Sequence, residues 1–99
     1  MRLNRQQIDL LKHIALEEAG AHARLRLFGS RLDDTLRGGD VDLLLELDTP
    51  VGDPAPLAAR MAARASRALG GRKVDVLLAA PNLKRLPIHD AAFQRGVVL

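Results

Sequence analysis

Asp40, Val41 and Asp42 open a run of aliphatic residues, Leu43-Leu44-Leu45. Aspartate is a poor strand former, so two of them at the start of a Leu/Val strand need a reason. Alternation along a strand puts both carboxylates on one face, about 6–7 Å apart between Cα atoms. Two like charges held this close repel each other unless a cation lies between them. Hard carboxylate oxygens suit Mg²⁺, which takes one or two carboxylates and completes its shell with phosphate oxygens and water. An isolated Asp-x-Asp also has a plainer explanation, in which Asp40 ends the Gly38-Gly39 loop and Asp42 caps a neighbouring group.

Two further features bear on the choice. Asp75 interrupts a second aliphatic run, Val74 to Leu78, where a lone carboxylate is costly if buried. If the two runs are neighbouring strands, Asp75 faces the same cleft as Asp40 and Asp42. Three carboxylates at one end of an apolar sheet have little structural use, but they suit two magnesium ions clamping an in-line displacement at phosphorus. Gly29-Ser30 stands where a strand gives way to a helix. Such a helix start offers free backbone N–H groups and the positive end of the helix dipole. Glycine lets the backbone approach a phosphate, and Ser30 adds a hydroxyl donor. Taken alone, Gly-Ser is an ordinary turn.

The elements that must position these residues follow from periodicity. Asn4 with Gln7 three residues later reads as a capping box, and Ile8, Leu11, Ile14 and Ala15 follow at helical spacing, which predicts a helix over 5–19. Leu25, Leu27 and Phe28 predict a short strand ending at Gly29, and Ser30 to Leu36 a short helix. Val41 to Leu47 is the clearest strand. It is apolar on both faces over its middle, which predicts an interior position in the sheet. Asp53-Pro54 reads as an N-cap with proline at the first helical position. Leu57, Met61, Ala65 and Leu69 recur every four residues, and Gly70-Gly71 closes that helix. Lys73 to Ala79 is a third strand, Pro87 to Arg95 a last helix, and Val97 to Leu99 a terminal strand or tail. The expected architecture is a single small α/β (α+β) domain over residues 1–99, with a mixed sheet of three or four strands flanked by helices.

Composition narrows the function classes. The chain has 99 residues, enough for one modest core. With no cysteine, disulfides and thiolate metal sites are excluded. Aromatics are 2%, namely Phe28 and Phe93, so no aromatic platform for stacking bases is expected and nucleic-acid binding is disfavoured. The net charge of +3 comes from arginines scattered along the chain rather than clustered. No apolar run approaches a membrane span, and the N-terminus lacks a signal-peptide stretch, so a cytoplasmic protein with no membrane partner is expected. His13 and His22 lack a carboxylate at ligand spacing and read as surface or partner-facing, and His89 reads as a local hydrogen-bonding residue. Glu46 shares the strand face of the aspartates farther along. Arg60, Arg64 and Arg67 read as a solvated helix face or one that meets an acidic partner.

Together, Gly29-Ser30-Arg31, then Arg37-Gly38-Gly39-Asp40-Val41-Asp42-Leu43-Leu44, then Asp75 on a later strand resemble the signature of the DNA polymerase beta-type nucleotidyltransferase superfamily. The nearest likeness is to its minimal nucleotidyltransferase (MNT) branch, over about Leu25 to Ala79, and the ending Pro87-Ile88-His89 through Gly96-Val97 is similar too. Two details depart from the family pattern. Leu32-Asp33-Asp34 stands where the family often has Ala-Arg-Gly, and Gly39 precedes the first aspartate where serine is common. Asp33 and Asp34 read as solvated surface.

The resemblance implies roles by position. Gly29 and Ser30 bind the triphosphate, with Arg31 neutralising phosphate charge. Asp40, Asp42 and Asp75 hold metal, two Mg²⁺ ions being expected, and Asp75 acts near the incoming hydroxyl. The implied reaction is transfer of AMP from ATP. A chain of this size has no room for an acceptor-binding domain, so the acceptor is another protein or is held by one. In this branch the partner is typically a HEPN-domain, RNase-like toxin that the MNT antitoxin can adenylylate on tyrosine. A homo- or hetero-oligomer follows, with the 5–19 helix and the C-terminal segment as candidate contact surfaces. Two other readings stay open: a catalytically silent nucleotide-binding antitoxin that masks its partner, and a small basic nucleic-acid-binding protein.

Overall fold

The computed structural model describes residues 3–28 and 41–99. The order of elements is α1 (Arg5–Ala19), β1 (Arg24–Phe28), β2 (Val41–Glu46), α2 (Pro54–Ala68), β3 (Val74–Ala79), α3 (Pro87–Arg95) and β4 (Val97–Val98). The strands form one mixed sheet in the order β3-β2-β1-β4. β2 is parallel to β3, whereas β1 is antiparallel to both β2 and β4. The expected α/β class is therefore present, and of the expected three or four strands the sheet has four. The short helix expected from Ser30 lies outside the described residues. Among the described residues, no helix is long and apolar enough to cross a membrane.

α1 begins on the expected capping box. Asn4 Oδ1 accepts from the Gln7 amide at 2.8 Å, and Gln7 Oε1 accepts from the Asn4 amide at 2.9 Å, so two otherwise unpaired donors are satisfied. Asp53 behaves differently. It occupies the N-cap of α2 with Pro54 at the first helical position, yet its side chain makes no capping bond. Its ψ of 79° falls far short of the 171° of Asn4, so the carboxylate is not aimed at the first-turn amides. α2 ends where Gly70 and Gly71 take positive φ values of 73° and 90°, which other residues adopt only at a cost, and Gly71 N–H donates to Ser66 C=O.

One face of the sheet carries Leu25, Leu27, Val41, Leu43, Leu45, Val74 and Leu78. α1 and α2 cover it with Leu11, Ile14, Leu57, Met61, Ala65 and Leu69. The predicted four-residue recurrence on α2 is thus its buried stripe. The two helices are also tied by charge. Arg60 Nε donates to Glu18 at 2.8 Å, and Arg64 bonds both Glu18, at 3.0 Å, and Glu17. The acidic group that meets these arginines belongs to the chain's own α1.

Leu44 points to the opposite face and is nonetheless completely buried, as β2's predicted interior position requires. α3 crosses that face near β1, burying Ala92 and setting Phe93 beneath the Arg26 guanidinium at 4.9 Å. Gly96 lets the chain turn from α3 into β4, since a Cβ there would lie 2.3 Å from Ala92 C=O. Val97 and Val98 then pair with Leu27 and Arg26, and the Leu99 amide donates to Leu25 C=O at 2.9 Å. The C-terminal segment is a strand, and it completes the sheet.

Candidate functional site

Asp42 is the second residue of β2 and Asp75 the second residue of β3. The parallel register pairs them directly, within a ladder running from Val41↔Val74 to Glu46↔Ala79. Paired residues on neighbouring strands project to the same face, so the two carboxylates stand side by side with Cα atoms about 4.8 Å apart. The Val41 amide donates to Lys73 C=O at 2.9 Å and anchors this end of the ladder.

The antiparallel register places Phe28 opposite Asp42 on the other side. Phe28, Asp42 and Asp75 thus form one transverse row on the α3 side of the sheet. Phe28 is the last residue of β1, and Gly29-Ser30 come next in the sequence. The sequence did not mark Phe28 as part of the site, because nothing local reveals its cross-strand partner.

Asp42 is half-buried, whereas Asp75 is exposed. The sequence reading gave Asp75 a desolvation cost in the event of burial. That cost does not arise, because β3 is the outermost strand and the carboxylate reaches solvent. Asp42 and Asp75 are direct partners on neighbouring strands, and two adjacent carboxylates favour a nearby cation. The donor set fits Mg²⁺: two hard carboxylate oxygen ligands on adjacent strands, open to solvent on one side. Gly29, Ser30, Arg31 and Asp40 lie outside the described residues. Among the described residues, no group of three or more His, Asp or Glu side chains is arranged to hold a metal ion.

The other candidates are accounted for locally. His89 is buried, with Nδ1 accepting from the Leu86 amide at 2.9 Å. Its Nε2 therefore carries the proton and donates to Leu78 C=O, also at 2.9 Å. Both ring nitrogens are committed, so His89 fastens α3 to β3, the local hydrogen-bonding role that its place at the head of the helix suggested. His13 sits 3.4 Å from Glu17 on the surface of α1, and His22 is exposed. Glu46 is four residues beyond Asp42, about 13 Å along the strand, and lies 3.7 Å from Arg26. At that far end a small cavity of about 160 Å³ opens between Glu46, Ala79, Leu83, Arg85 and Phe93. It is separate from the aspartate row.

No protein-family model, curated protein or solved structure matches the chain.

Proposed function

We propose that this chain is a minimal nucleotidyltransferase that transfers AMP from ATP to a hydroxyl of a partner protein. The observation that carries the reading is the direct pairing of Asp42 with Asp75 at one end of parallel neighbours. Two carboxylates paired on neighbouring strands are a ready donor set for a divalent cation at a phosphoryl-transfer site. Gly29-Ser30 follows Phe28, the residue opposite Asp42, which puts the phosphate-binding signature next in the chain to the carboxylate row.

In this account Asp40, Asp42 and Asp75 would hold Mg²⁺, which would supply charge neutralisation to the triphosphate and the leaving pyrophosphate. Gly29, Ser30 and Arg31 grip the β- and γ-phosphates, as the family resemblance implies. Asp75, on the outer strand, serves the acceptor side. The acceptor oxygen bonds to the α-phosphorus and the α–β bridging bond breaks. Pyrophosphate leaves with that electron pair, and the hydroxyl proton passes to Asp75. Positioning and charge stabilisation supply most of the acceleration in such transfers.

The proposed acceptor is a HEPN-domain protein, as the family resemblance implies, with the chain acting as its antitoxin in the cytoplasm. The test is incubation of the pure chain with each labelled nucleoside triphosphate, Mg²⁺ and the product of the neighbouring gene. Label should pass from ATP to that protein and depend on Mg²⁺. Absence of transfer from every nucleotide, with binding of the partner intact, would favour the masking reading instead.

A further inference from the structure

β3 ends the sheet: β2 pairs with one side of it, and no described strand lies on the other. The bonds Val41 N–H to Lys73 C=O and Leu47 N–H to Ala79 C=O fix which residues bond inward. Alternation then turns the backbone groups of Lys73, Asp75, Leu77 and Ala79 toward β2, and those of Val74, Val76 and Leu78 outward. The outward carbonyl of Leu78 is occupied by His89 Nε2. No hydrogen bond among the described residues reaches the outward groups of Val76. Sheet edges are usually blunted by shortness, charge or cover. Here the far end of the edge is blunted by His89, while the stretch around Val76, beside the exposed Asp75, is not.

The charge around this edge is mainly positive. Between residues 66 and 86 the chain carries Arg67, Arg72, Lys73, Lys84 and Arg85 against one acid, Asp75, a surplus larger than the +3 of the whole chain. Arg72 and Lys73 immediately precede the strand, and Lys84 and Arg85 follow it. Arg85 is held by Asp90 at 2.6 Å. Arg72 has a buried guanidinium nitrogen with no hydrogen-bond partner among the described residues. Arg72 as a whole is only half-buried, so the rest of it adds positive charge beside the edge.

The geometry points to a docking surface: the open edge of β3 around Val76 receives an extended, acidic segment of the acceptor protein. The segment adds a fifth strand, the common strand-addition mode, in which main-chain bonds give affinity and flanking side chains give choice. A residue opposite Asp75 in the added strand projects to the same face as Asp75 and Asp42. Its hydroxyl thereby arrives beside the carboxylates. Acidic residues flanking it meet Arg72 and Lys73 at one end and Lys84 at the other. The inference rests on the nucleotidyltransferase reading for calling the segment an acceptor, but the docking itself is read without nucleotide.

The probe is a blocked peptide, Glu-Glu-Val-Tyr-Val-Glu-Glu, with Lys-Lys-Val-Tyr-Val-Lys-Lys as control, titrated into the full chain and followed by backbone NMR and amide exchange. The acidic peptide should shift β3 resonances and slow exchange of the Val76 amide, while the lysine peptide should do neither. Joint charge reversal, Arg72→Glu with Lys73→Glu, should weaken binding about tenfold or more. Val76→Pro removes the outward N–H and should abolish the peptide-induced shifts elsewhere on β3. The charge-reversal variant decides if the proline variant fails to fold. Lack of binding, shifts confined to another surface, or equal binding of the lysine peptide would overturn the docking site. Val76 protection that rises with protein concentration alone would also overturn it, naming a second copy of the chain as the occupant. Missing AMP transfer leaves this test standing, and a failed peptide titration leaves transfer to other acceptors standing.

Discussion

Asp42 and Asp75 are 33 positions apart in the sequence but direct partners in the parallel register of β2 and β3. The pairing depends on α2, whose buried stripe returns the chain so that β3 lies parallel to β2. Two carboxylates on neighbouring strands repel, and here they lie at one end of a ladder whose middle pairs are aliphatic. This gives the site a thermodynamic signature that can be measured without any acceptor.

Asp75→Asn should leave the metal-free chain as stable as the wild type or slightly more so, by about 0.2–1 kcal/mol, because one of two adjacent charges is removed. Mg²⁺ should raise the melting temperature of the wild type through linkage and raise that of Asp75→Asn less. Calorimetry with and without Mg²⁺ checks both halves. A marked loss of stability in metal-free Asp75→Asn would mean that the carboxylate has a structural role.

The α1–α2 ion pairs set an acid limit. Hydrogen bonds from Arg64 and Arg60 hold the Glu17 and Glu18 carboxyls below their ordinary value of 4.5. Groups with a lowered folded-state pKa contribute stability that is fully present above 4.5 and is lost as pH falls through the folded value. Melting temperature should therefore drop below about pH 4.5 and drop less in Arg64→Met. Because these groups meet water, added salt should shrink the difference between the two proteins.

Leu44 is fully buried on the α3 face, where its loss leaves a cavity. Leu44→Ala should cost about 2–5 kcal/mol by denaturant unfolding. Gly96→Ala should also destabilise, because the new methyl meets the Ala92 carbonyl, which is backbone and cannot swing aside. Its effect should concentrate on β4, seen as faster amide exchange at Leu99, whose N–H bonds Leu25.

His89→Leu removes one acceptor and one donor at once, leaving the Leu86 N–H and the Leu78 C=O unpaired. A cost of about 2–4 kcal/mol is expected by thermal or denaturant unfolding. AMP transfer measured well below the melting point should persist, because His89 fastens α3 and touches neither carboxylate.

The local features of the fold were legible in the sequence. The capping box of Asn4 and Gln7 and the four-residue stripe of Leu57, Met61, Ala65 and Leu69 depend on near neighbours, and so does the two-faced apolar pattern of Val41 to Leu47. What depends on distant partners was not legible. Nothing near Asp75 tells that β3 is the outermost strand, so its exposure came only with the sheet order. Nothing near Arg64 names Glu17 and Glu18, which lie 47 and 46 residues away. Asp53 has the right type and place for a cap, but its ψ aims it elsewhere. Of the candidate site, the juxtaposition of Asp42 and Asp75 was foreseen only on the condition that their strands are neighbours, and they are. The roles of Gly29, Ser30, Arg31 and Asp40 rest on the sequence alone.

The most direct measurement is transfer of AMP from labelled ATP to the product of the neighbouring gene, comparing wild type with Asp42→Asn. Circular dichroism first establishes that both are folded. Mg²⁺-dependent labelling by the wild type, and loss of it in a folded Asp42→Asn, is the predicted result. Undiminished labelling by Asp42→Asn would contradict the account.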